Sequence, residues 1–141
     1  MIIVRIILFL IITLAFTKIS YSYYTDEDIP ITTDSRIKHY IYSENEVYLL
    51  VLHVGFQSHI EFAKNETIQS LIPGDTYAWK LNPIGNRLFI KPMEDNMQTN
   101  ITIITNKRTY HFDLSSVQLI EGHEKDLVYV IKFHYPRKKS R

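Results

Sequence analysis

Six histidines, His39, His53, His59, His111, His123 and His134, are the side chains of this sequence best suited to holding a metal or moving a proton near neutral pH. None has the H-x-x-x-H spacing that sets two ligands on one helix face in zinc hydrolases, and the chain has no cysteine to complete a ligand set. His59 and Glu61 fall on one face of a predicted strand, and His39, His53 and His59 can approach one another if their strands are neighbours. Metal sites announce themselves by clustered ligands, so the sequence places these histidines on sheet faces, exposed or hydrogen-bonded, and predicts no bound metal. The carboxylate pairs Asp26/Asp28 and Glu124/Asp126 lie in predicted loops, where no rigid cleft holds two acids for general acid/base work. There is no Gly-x-Ser-x-Gly elbow, and the four glycines stand apart, so no glycine-rich loop cradles a phosphate. The sequence therefore predicts no catalytic residue and no cofactor.

The elements that would position these side chains are short strands. Apolar residues alternate with polar ones near 37–42, 46–54, 56–62, 67–72, 76–81, 87–91, 100–105, 108–114 and 127–135, and turn-forming clusters separate the runs. Nine short strands at this spacing predict an all-β fold, a single β-sandwich of mainly antiparallel strands. The stretch 115–126 is the best place for a loop or helical turn. Val47–Val54 is apolar on both faces apart from His53, which predicts a central strand. The first strand (37–42) and the last (127–135) are candidate free edges.

The segment GDTYAWKLNPIGNRLFIKP, residues 74–92, is the most informative. Tyr77, Trp79 and Leu81 alternate with Ala78 and Lys80 and are expected on one buried face. Leu88 and Ile90 follow on the inner face of the next strand, and Tyr110 and Phe112 do the same further on. These seven make the predicted core. Gly74 and Asp75 form one predicted turn. Pro83 and Gly85 form another, with Pro83 presetting a turn angle and Gly85 taking the left-handed conformation of a bulged loop.

The chain has 141 residues, 45% of them hydrophobic, enough for one domain with a modest core. Residues 1–22 read as a signal peptide: Arg5, then the apolar run Ile6–Phe16, then small residues at Ser20 and Ser22. Lys18 interrupts the run short of the ~20 apolar residues of a spanning helix, and cleavage is expected after Ser22. Residues 23–34 read as a polar leader, 35–136 as the sandwich domain, and Arg137–Arg141 as a solvated basic tail. Removing Arg5 and Lys18 from 16 basic residues leaves 14 against 15 acidic, a net charge of −1. That balance argues against nucleic-acid binding, which needs a concentrated basic surface. A cysteine-free exported domain suits a bacterial periplasm.

Five segments, in order, carry a resemblance: DSRIKHYIYSENEVY (34–48), HVGFQSHIEFAKNETI (53–68), residues 74–92, TNITIITNKRTYHFDL (99–114) and YVIKFHYP (129–136). Together they resemble the N-terminal domain of the periplasmic core-complex subunit of type IV secretion and conjugal transfer systems, the ninth VirB-type component of the TrbG/CagX-type family. The resemblance implies a scaffold without substrate turnover in the envelope of a Gram-negative bacterium. It implies a ring of copies of itself, or of full-length copies, packed with the periplasmic part of the channel-forming subunit. In that family a second domain follows the stretch matched here and touches the small outer-membrane lipoprotein. The expectation is therefore a truncated form that does not bind the lipoprotein directly. Two alternatives stand beside it: a regulatory or substitute module competing with a full-length copy, and an unrelated periplasmic carbohydrate-binding or enzymatic β-sandwich.

Overall fold

A computed structural model of the protein describes residues 34–137. The predicted signal peptide, nearly all of the leader and the last four residues of the tail lie outside them. Nine strands follow in order: β1 (Ile37–Ile41), β2 (Val47–His53), β3 (Ser58–Glu61), β4 (Ile68–Pro73), β5 (Trp79–Ile84), β6 (Arg87–Pro92), β7 (Gln98–Thr105), β8 (Thr109–Val117) and β9 (Val130–His134). A single 3-10 turn, Glu124–Asp126, precedes β9. The fold is all-β, in two sheets with orders β1-β9-β3-β6-β5 and β2-β8-β7-β4.

Period-2 alternation makes the interior. Leu88 and Ile90 of β6, Ile101 and Ile103 of β7, and Tyr110, Phe112 and Leu114 of β8 all point inward and are fully buried. Rings concentrate around Phe133 of β9, whose centroid lies 4.9 Å from Tyr48 and 5.1 Å from Tyr110, both edge-on. Ser58 of β3, buried, donates its hydroxyl proton to the Val128 carbonyl and ties the approach to β9 onto the sheet.

The strands pair antiparallel at β3–β6, β5–β6, β4–β7 and β7–β8, but parallel at β1–β9, β3–β9 and β2–β8. Two sequence expectations fail here. The last strand is no free edge, because β9 is inserted between β1 and β3. β2 is no central strand, because it ends its sheet and its second apolar face lies open. Apolar residues on both faces signal a central strand only where both faces are covered. β8 also runs on through Ser115–Val117, where a loop was expected. Ser116 holds it there by donating to the Glu94 carbonyl (2.7 Å) and accepting from the Met97 N–H (2.9 Å).

The 74–92 segment needs the most correction. Asp75 accepts from the N–H groups of Tyr77 (2.9 Å) and Ala78 (3.3 Å), an Asx-type turn that keeps both out of the strand. Tyr77 is consequently 83% exposed and no part of the core, whereas Ala78 and Trp79 are buried side by side. Leu81 is half-buried and packs against the core rim. Pro83 is not in the turn. It pairs with Leu88 inside β5, which is tolerated because β5 is an edge. The turn is the two-residue loop Gly85–Asn86, with Gly85 at φ +59° in the first central position and no bulge.

Candidate interaction edge and buried carboxylate network

Glu66 sits in the loop between β3 and β4 and is only 2% exposed. A buried carboxylate must find donors, and this one finds several. The Tyr110 hydroxyl reaches both oxygens (3.0 and 2.9 Å), Thr105 donates at 2.8 Å, and the Arg108 guanidinium closes an ion pair. Arg108 lies over the Tyr135 ring, 3.9 Å from its centroid. The Tyr110 and Tyr135 hydroxyls are 2.8 Å apart, and Tyr135 accepts from the Ala63 N–H at 3.1 Å. Burial pushes the Tyr135 phenol up to about 12, and burial followed by its contact with Tyr135 drives Tyr110 up as well. Both Glu66 oxygens are occupied, so the cluster offers no free base. It acts as a clasp joining the β3–β4 loop, the β7–β8 hairpin and the chain after β9. Sequence reading missed it. Arg108 and Tyr110 stood in a recognisable Arg-x-Tyr step, but Glu66 lies 42 residues from Arg108 in a loop that looks solvated.

The histidines do not assemble as a trio. His39 of β1 meets His134 of β9, Nδ1 to Nε2 at 2.7 Å with the rings stacked. Burial, then the neighbouring His134 and Lys132, holds His39 below the usual imidazole range. His59 packs on Phe89, ring centroids 4.9 Å apart, and burial and Arg87 lower it too. His53 is in the other sheet. Among the described residues, no three His, Cys, Asp or Glu side chains are grouped to hold a metal ion.

The surface is more informative. Val47, Leu49 and Val51 of β2 are 53%, 61% and 41% exposed, forming an aliphatic stripe along an open sheet edge. Beside it runs an open groove of about 680 Å³ between the β2 and β1 edges, lined among others by Lys38, Tyr40, Leu49, His53, Ile120 and Lys125. The Tyr40 hydroxyl crosses it to donate to the Leu49 carbonyl at 3.3 Å. His53 is 7% exposed, and its Nδ1 has no hydrogen-bond partner among the described residues.

The profile of the CagX conjugal transfer proteins matches residues 35–141, a span that includes all nine strands. The chain belongs to the CagX family. This CagX chain is similar to the type IV secretion system protein virB9 of Bartonella henselae, 30% identical over 108 residues that cover 73% of this chain and 38% of that protein. It is similar to protein virB9 of Rhizobium radiobacter, 30% identical over 118 residues covering 78% of this chain and 40% of the relative. Type IV secretion system protein virB9 of Brucella abortus is 29% identical over 120 residues, 73% of this chain and 40% of that protein. The chain thus spans about two fifths of the length of these relatives. No helix among the described residues is long and apolar enough to cross a membrane.

Proposed function

We propose that the chain is a structural subunit of a type IV secretion system, working by protein–protein contact in the periplasmic layer of an envelope-spanning core complex. The observation that carries this reading is the family match across every strand of the sandwich, together with relatives named as type IV secretion system proteins. The described surface suits contact rather than turnover. Its one deeply buried carboxylate is saturated with donors, while aliphatic side chains line an open strand edge. The partners are further copies of the chain, full-length copies, or the periplasmic part of the channel-forming subunit. The described domain does not hold the outer-membrane lipoprotein directly.

The test is co-purification from native envelopes with each component tagged in turn. Recovery of copies or of the channel subunit is expected. Recovery of the lipoprotein in the absence of full-length copies would overturn the partner assignment. Export is checked separately: N-terminal sequencing of envelope-derived protein should begin at Tyr23, and a protein still beginning at Met1 would favour an uncleaved anchor.

A further inference from the structure

Among the described residues the sandwich has four free strand edges, β1, β5, β2 and β4. Natural sheets blunt such edges because their unpaired N–H and C=O groups invite another strand. Three of the four are blunted here. β4 is bulged between Ile68 and Ser70, β5 contains Pro83 and exposes Lys80, and β1 is five residues long and carries Lys38. β2 has no such device. Its seven residues contain no proline and no Asp, Glu, Lys or Arg, and its register with β8 is unbroken.

The direction of its free groups follows from two contacts. The Leu49 carbonyl meets Tyr40 outside the sheet, while the Val54 N–H bonds the Val117 carbonyl within it, at 3.0 Å. Backbone groups alternate along a strand, so those of Val47, Leu49 and Val51 face away from β8, as does His53, whose carbonyl already accepts from the Phe56 N–H at 3.1 Å. At the end of β2 the groove lining holds Lys38 and Lys125 against the single carboxylate of Asp126, a net positive balance beside the unpartnered Nδ1 of His53. Glu44 and Glu46 precede its start.

We propose that the β2 edge is the docking site for an extended segment of a partner protein, added as a fifth strand to this sheet. The segment runs antiparallel to β2, the more stable pairing. It carries aliphatic side chains at alternate positions to cover Val47, Leu49 and Val51, an acidic residue at its leading end against Lys38 and Lys125, and a basic residue at its trailing end against Glu44 and Glu46. It displaces the Tyr40 hydroxyl from Leu49 and supplies the hydrogen bond that His53 lacks. Main-chain bonds give affinity and the charged ends give direction. The proposal rests on the reading that the domain works by contact, and it names the contact.

The probes are two synthetic peptides, Glu-Val-Thr-Val-Thr-Val-Thr-Lys and the same peptide with its two end residues exchanged, titrated against the mature protein. The first should bind at least tenfold more tightly than the second. The double variant Lys38→Glu/Lys125→Glu, which leaves the backbone untouched and both ends of the edge acidic, should erase that preference. Val51→Pro, which removes one outward N–H, should abolish binding while thermal unfolding stays cooperative. Equal binding of the two peptides to the unsubstituted protein, no binding at millimolar concentration, or a preference unchanged in the double variant would overturn the proposal. So would peptide-free dimerisation that Val51→Pro removes, which would make the occupant a second copy. Failed co-purification from envelopes alongside successful peptide binding would overturn the partner assignment and leave the edge standing.

Discussion

Trp79 is 4% exposed although the tyrosine two positions before it stands in solvent. The alternation is a property of paired backbone, and pairing starts only at Trp79. Trp79→Ala should destabilise the domain by about 3–5 kcal/mol in urea unfolding. A loss under about 1 kcal/mol with weakened partner binding would make the ring an interface anchor. Arg108→Met keeps the stem against Tyr135 but leaves Glu66 buried without its cation, and should cost about 3 kcal/mol. The tyrosines predict an alkaline limit. In the folded state burial raises the Tyr135 phenol to about 12, above the ordinary 10. Its contribution is therefore complete below pH 10 and lost as pH rises toward 12, since the unfolded chain gives up that proton first. Unfolding midpoints measured from pH 8 to 11.5 should fall over this window, and Tyr135→Phe should flatten the fall.

Two glycines show how much local structure the sequence discloses and where it stops. Gly85 was legible as a turn glycine, and at φ +59° it needs to be one, so Gly85→Ala should cost about 1–2 kcal/mol. Gly74 was also read as a turn residue, but its constraint is a close approach across the sheet. An added Cβ would stand 2.5 Å from Asn100 Oδ1 and 2.8 Å from Thr99 Oγ1. Gly74→Ala should cost about 1–3 kcal/mol, and Asn100→Ala in the same chain should recover part of it. Calorimetric melts of the single and double variants decide this. Strand positions were legible because pattern and turn residues are local. The pairing of β2 with β8 was not, because nothing between residues 47 and 53 names a partner sixty-odd positions on. The Glu66 clasp was hidden for the same reason: a loop glutamate looks solvated until the strands bring Tyr110, Thr105 and Arg108 around it. The β2 edge was misread because its second apolar face resembled one that a neighbouring layer would cover.

At the scale of the whole molecule, three parallel pairings join distant parts of the chain, β1 with β9, β3 with β9 and β2 with β8. Contacts of such long sequence separation slow folding. Deleting residues 130–134 should leave no cooperative unfolding transition by circular dichroism, because β1 would lose its strand partner and the ring cluster would lose Phe133. The place of β9 also sets the order of events as the chain is made. The strand that arrives last is the one the first and third strands wait for on either side. A nascent chain that has not yet reached residue 134 holds two unmet edges facing an empty slot. A premature stop before that slot is filled should therefore leave an open sheet with its two halves unjoined, instead of a smaller working domain.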